Sequence, residues 1–160
     1  MLTVNIICIG KLKEKYWADA IKEYSKRLTA FCKFSIIELN EHKAQGDPNQ
    51  KQIASILANE GKAILGKIKQ GDYTVAMCIE GKNISSEDLS NLIDTIQIEG
   101  NSTLNFVIGG SWGLSDEVKK IAKYKLSMGK MTFPHQMARV MLSEQIYRAF
   151  QISTKGKYHK

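Results

Sequence analysis

Apolar residues fall along this chain in two alternating rhythms. Short runs rich in Val and Ile occupy residues 2–9, 34–39, 73–79, 104–108 and 124–126, each bounded by Gly, Asn, Asp or charged residues. Runs of this length and composition predict strands. They are apolar throughout rather than alternating, which predicts a sheet covered on both faces. Between them, apolar residues recur every three or four positions, as helices require. Trp17, Ile21, Tyr24 and Leu28 share one face of a helix over 16–28, and Ile53, Ile56, Leu57, Ile64, Leu65 and Ile68 one face of a helix over 50–69. Ser85, with Asp88 three residues on, forms a capping box before Leu89, Leu92, Ile93 and Ile96. Ser115 caps a further helix, with Asp116 and Glu117 in its first turn and Val118, Ile121 and Ala122 as its inner face. Pro134 fits the first turn of the last helix, where its missing N–H is not needed. That helix is apolar almost all round, from Met137 to Phe150, so it belongs in a core or a subunit interface.

Strand and helix thus alternate five times, which predicts an α/β fold: a mostly parallel sheet flanked by helices. No linker, repeat or low-complexity tract divides the 160 residues, so one domain over 1–160 is expected. The net charge of +7 and pI near 9.3 suit an anionic partner, nucleic acid first, although solubility alone also explains them. Cys8, Cys32 and Cys78 show no metal-ligand or redox spacing and read as small buried hydrophobes in a reducing compartment. No metal is therefore expected. No apolar stretch approaches a membrane span and no leader opens the chain, so no membrane association and a cytoplasmic location are expected.

Two loops are placed to hold a ligand. Gly109-Gly110-Ser111-Trp112-Gly113 follows the fourth strand, and Met128-Gly129-Lys130-Met131-Thr132-Phe133 follows the fifth. Ligands of parallel sheets sit outside the carboxyl ends of strands, and glycines let backbone approach them closely. If the fourth and fifth strands are close neighbours, the two loops share a crevice. Met77, Cys78 and Ile79 would supply an apolar wall suited to a flat ring such as adenine. Met128, Met131 and Phe133 can equally be core plugs. The dinucleotide fingerprint is absent, with only Gly10 after the first strand, and so is the phosphate-binding P-loop. On the last helix, His135, Arg139, Tyr147 and Arg148 are the polar groups, and a buried Arg139 needs a partner such as a phosphate or Glu144. The tail, Lys155-Gly156-Lys157-Tyr158-His159-Lys160, combines cations with an aromatic ring, as RNA contacts do.

Taken together and in order, several motifs resemble one family. They are Phe106-Val107-Ile108-Gly109-Gly110-Ser111-x-Gly113-Leu114, then Leu126-Ser127, then Met131-Thr132-Phe133-Pro134-His135-Gln136-Met137-x-Arg139-Val140, then Glu144-Gln145-Ile146-Tyr147-Arg148-Ala149, and the closing Tyr158-His159-Lys160. The start, Gly10-Lys11-Leu12-Lys13-Glu14, is similar too. The family is the large-subunit ribosomal RNA methyltransferase H type of the SPOUT class, and the resemblance covers essentially the whole chain. It implies a C-terminal trefoil knot, a homodimer formed through the knotted region and last helix, and S-adenosylmethionine bound in a bent form. It further implies methylation of ring N3 of a pseudouridine in large-subunit (23S) rRNA on the assembled ribosome. Carried over by the resemblance, Met77, Ile79, Gly109, Gly110, Met128, Gly129, Lys130, Met131, Thr132 and Phe133 would line the donor pocket. His135 or His159 would accept the proton, Arg139 would steady charge, and Tyr147, Arg148, Lys157 and Tyr158 would meet RNA. Trp112 departs from the small polar residue expected in the glycine loop, and would either narrow the donor crevice or pack outward. The competing reading is a non-catalytic RNA- or ribosome-binding protein on the same scaffold.

Overall fold

The computed structural model describes residues 1–160. Its elements run β1 (Thr3–Ile9), α1 (Lys15–Leu28), β2 (Lys33–Leu39), α2 (Gln50–Leu65), β3 (Tyr73–Asn83), α3 (Ser86–Ile98), β4 (Thr103–Ile108), α4 (Asp116–Ile121), β5 (Tyr124–Ser127) and α5 (His135–Ser153). The five strands form one sheet in the order β2-β1-β4-β3-β5, every pair parallel. The alternation of elements, the parallel pairing and the helical layers are all as the hydrophobic pattern requires.

The period of two along each strand sorts the core. Leu2, Val4, Ile6 and Cys8 face the layer made by α1, α3 and α5, together with Val75, Leu104, Phe106 and Leu126. Ile7, Ile9, Ala76 and Val107 face α2 and α4, meeting Ile64, Leu114 and Val118. One polar line crosses the second face. Ser35 donates to Asn5, Asn5 to the fully buried Asn105, and Asn105 to Asp72, at 2.6, 2.8 and 2.9 Å. The chain of donors fixes the register of β2, β1 and β4, since a one-residue slip would bury these amides unpaired.

Five local details differ from the pattern. β4 and β5 are not neighbours, because β3 lies between them. β3 continues past Ile79 to Asn83, with both Met77 and Lys82 paired to Leu126, so residues 78–81 bulge out of the ladder. Gly81 permits this: a Cβ there would come within 2.7 Å of the Leu126 backbone. Glu80 and Lys82 gave no apolar signal because this end of β3 is exposed. α2 stops at Leu65, capped by Gly66, and Ile68 packs from the following turn instead. Ile121, expected to face inward, ends the six-residue α4 and is 44% exposed, leaving Val118 as its anchor. Pro134 stands one position before the last helix, which begins at His135.

Candidate active site at the ends of β3, β4 and β5

Because the strands are parallel, the loops after β3, β4 and β5 emerge at one end of the sheet. There they surround a cavity of about 200 Å³. Met77, Cys78 and Ile79 form one wall, Gly109 and Gly110 a second, and the segment from Leu126 to Gly129 a third. Met131, Thr132 and Phe133 close it, with His135 and Ala138 from the start of α5. The intervening β3 therefore does not separate the two predicted loops; its own bulged end joins them. Lys130 is the exception among the expected pocket residues, since it is exposed and does not line the cavity.

Backbone, not side chain, borders the cavity at the glycine loop. A Cβ on Gly109 would run into the Gly113 carbonyl, and one on Gly110 would sit 3.1 Å from Ile9 and 3.2 Å from Glu60. Across the cavity, Ser127 shapes the second loop: its hydroxyl accepts the Gly129 N–H and donates to the Gly129 carbonyl, both at 3.1 Å. Gly129 holds φ +130, a conformation L side chains rarely adopt. Trp112 packs outward, 45% exposed and outside the lining. The Cys78 thiol faces this space, and burial pushes its pKa up.

Arg139 is not free to meet a ligand. It is fully buried and donates to the Glu38 carboxylate at 2.7 Å and to the Gly10 carbonyl at 3.2 Å. Its partner is thus Glu38 rather than the Glu144 or phosphate expected. Glu38 also accepts the Leu12 N–H at 3.2 Å, and Gln136 accepts the Lys13 N–H at 3.1 Å. Gly10, at φ +93, lies directly against His135. These bonds hold the loop after β1 against the first turn of α5, and so hold His135 at the cavity. The role of Glu38 could not be read from sequence, because the pairing spans 101 residues.

The tail forms a separate cluster. Glu144 accepts from Arg148 at 2.6 Å and from the Tyr158 hydroxyl at 3.1 Å. The Arg148 guanidinium lies 4.7 Å above the Tyr158 ring, and Tyr147 meets that ring edge-on at 4.8 Å. Burial, with hydrogen bonds involving Tyr24 and Glu144, pushes the Tyr158 phenol up to about 12. His159 sits between Arg148 at 3.2 Å and Glu87 at 2.7 Å, while Lys157 is exposed. His135 and His159 are therefore not brought together within one chain. The tail cluster borders a second, larger cavity of about 770 Å³, lined by Tyr24, Ser85, Ser86, Val140, Met141 and Glu144 among others. The two cavities share residues 126–129 as their partition.

Comparison with known proteins agrees with this geometry. A family model described as a predicted SPOUT methyltransferase matches residues 2–159. The ribosomal RNA large subunit methyltransferase H of Clostridioides difficile (strain 630) is 49% identical over 159 residues, covering 99% of this chain and 100% of that protein. Its namesake from Clostridium acetobutylicum is 51% identical with the same coverage. Among solved structures, one titled as a probable methylase family protein from Haemophilus influenzae Rd KW20 superposes with a TM-score of 0.53 at 11% identity, over 98% of this chain and 70% of that one, a likeness of fold. A model that spans the whole sheet and both loops, with full-length relatives half identical to the chain, establishes that it belongs to the SPOUT methyltransferase family, in the ribosomal RNA large subunit methyltransferase H group.

Proposed function

We propose that this protein transfers a methyl group from S-adenosylmethionine to N3 of a pseudouridine in large-subunit rRNA, on the assembled ribosome. The observation that carries the reading is the convergence of the β3 bulge, the glycine loop and residues 127–133 on one backbone-lined, apolar-walled cavity beside His135. That lining fits the donor: apolar side chains suit an adenine ring, and backbone N–H and C=O groups suit its polar edge. Met77, Ile79, Gly109, Gly110, Met128, Gly129, Met131, Thr132 and Phe133 hold it, with Lys130 at the rim. When bound, the donor supplies a methyl already activated on a sulfonium. The protein's own task is to align the ring nitrogen with that methyl and to remove its proton. His135 lines the cavity and takes that proton; its Nδ1 is buried and unpartnered, which leaves Nε2 for the substrate. Arg139 positions His135 through Gly10.

The same reading accounts for α5. Met137, Val140 and Met141 are apolar yet only half-buried, the last two lining the larger cavity. A second copy covers them in a homodimer. Its tail then lies near the first copy's site, with Lys157, Tyr158, Tyr147 and Arg148 meeting RNA and His159 at the margin. Residues 124–134 and α5 thread behind the glycine loop as a trefoil knot. No helix is long and apolar enough to cross a membrane, and a ribosomal substrate places the work in the cytoplasm.

The test is calorimetric titration of S-adenosylmethionine and its demethylated product into wild type and Gly110→Arg, followed by methyl transfer to ribosomes. Saturable binding that vanishes in the variant, with label appearing in large-subunit rRNA, is expected. A folded wild type that binds no donor even with ribosomes present would leave the non-catalytic RNA-binding reading.

A further inference from the structure

One carboxylate inside the fold has no counter-charge. Glu60 projects from α2 with 3% of the residue exposed. Its Oε2 accepts the His42 backbone N–H at 3.0 Å, while Oε1 is buried with no hydrogen-bond partner. None of the five salt bridges in the protein involves it. Buried carboxylates are ordinarily paired, because losing water strongly disfavours the charged form. Burial accordingly holds the pKa of Glu60 above the usual carboxylate range, with the His42 N–H opposing that shift.

What Glu60 faces is the glycine loop. A Cβ on Gly110 would lie 3.2 Å from Oε1 and 3.4 Å from Oε2. Gly110 also lines the smaller cavity. A single residue without a side chain therefore adjoins both an unpaired buried carboxyl group and the space assigned to the methyl donor. In such surroundings the effective dielectric is well below that of water, and a charge is felt beyond contact distance.

We infer that Glu60 is a specificity-determining residue: acting through the glycine loop, its carboxylate favours a cationic ligand in this cavity over a neutral ligand of the same shape. The inference rests on the donor proposed above. S-adenosylmethionine carries a sulfonium, whereas its demethylated product carries a neutral thioether and is otherwise nearly the same molecule. In the transfer, the bond from sulfur to methyl breaks as the bond from ring nitrogen to methyl forms. The sulfonium's charge leaves as the proton of that nitrogen. The attraction that holds the donor is then absent for the product, which speeds exchange. Glu60 itself touches neither ligand.

The ionisable groups facing Glu60 are Glu41 and His42, from the loop after β2. Ile9 and Gly110, which pack on it from β1 and the glycine loop, carry none. Glu60→Gln removes the charge and keeps an acceptor for the His42 N–H. Removing a buried unpaired charge does not weaken the fold, so the variant stays folded. Both ligands are titrated into wild type and Glu60→Gln by calorimetry between about pH 5 and 8. The variant is expected to bind S-adenosylmethionine about fivefold or more weakly while holding the product within about twofold. In wild type the preference for the donor fades as the pH falls through the Glu60 titration; in the variant that dependence is lost. A merely structural role would weaken both ligands together. An unchanged affinity ratio, or equal loss for both, overturns the inference and leaves the donor assignment standing. Wild type binding neither ligand overturns both. Should Glu60→Gln fail to fold, Glu60→Met, which removes the charge at similar volume, is titrated in its place, and an unchanged affinity ratio there is equally refuting.

Discussion

Replacing Arg139 separates a structural cation from a catalytic one. Its side chain has no exposure, and it joins three elements: Glu38 at the end of β2, the Gly10 carbonyl after β1, and its own α5. Arg139→Ala leaves the Gly10 carbonyl unpaired and a large buried volume unfilled. Truncating a side chain of this size inside the fold costs about 3–5 kcal/mol. For a domain of this size that lowers Tm by about 6 °C or more. Glu38→Gln is milder, about 1–2 kcal/mol, because the Glu38 side chain is 37% exposed and water screens the pair. The double variant Glu38→Gln/Arg139→Met is expected to lose less than the sum of the singles, since each single strands the other's partner. The assay is urea unfolding at fixed protein concentration, because the proposed dimer would make stability concentration-dependent, with donor affinity measured on the same samples. The reasoning is refuted if Arg139→Ala melts within about 2 °C of wild type yet abolishes methyl transfer. Arg139 would then be acting on substrate rather than holding His135 in place.

Three further outcomes follow from particular contacts. Gly81→Ala drives a Cβ to 2.7 Å from the Leu126 backbone, so it should lose about 2–3 kcal/mol in urea unfolding and weaken donor binding with it; a variant as stable as wild type would show that the β3 bulge does not depend on that approach. Cys8 and Cys32 are buried, their thiols pushed up to about 11 and about 12 by burial, whereas the half-buried Cys78 lines the smaller cavity. Native protein should therefore take up one maleimide, at Cys78, slowly and faster as the pH rises, and S-adenosylmethionine should protect it; labelling of Cys8 or Cys32, or no protection, would count against the cavity's assignment. The Tyr158 phenol ionises near 12 in the folded chain against an ordinary 10. Its contribution to stability is thus complete below about pH 10 and lost as the pH rises toward about 12. Burial raises Tyr73 as well, so an ultraviolet titration should show a late phase that is diminished in Tyr158→Phe, and superimposable curves would contradict the tail's docking on Glu144.

What the sequence made legible was whatever repeats at short range. Short apolar runs marked every strand and spacings of three and four marked the helices, and the capping box at Ser85 and Asp88 is present in full. Gly109, Gly110 and residues 128–133 were found because adjacent glycines and a polar loop between apolar runs are local signals. The order of the strands is not local. Nothing in residues 104–126 states that β3 will slip between β4 and β5, since Met77 and Leu126 pair only once the chain has folded. The continuation of β3 was hidden for a related reason: the exposed end of the strand carries Glu80 and Lys82, which break the apolar run.

The charges make the same point more sharply. Arg139 on an apolar helix announced that a partner must exist, but the choice of Glu38 over Glu144 depends on packing between residues 101 positions apart. Glu144, one turn from Arg148, is taken by its helical neighbour instead, as spacing alone would favour. Glu60 gave no signal at all, because a glutamate on a helix surface and a glutamate buried against a glycine loop look alike in sequence. Behind this cavity one carboxylate is paired and the other is not. The paired one, Glu38, fixes the loop behind His135. The unpaired one, Glu60, leaves its field directed at Gly110. A site that must hold a cation and release its neutral counterpart needs both arrangements: rigid backbone on one side, and an uncompensated negative charge on the other.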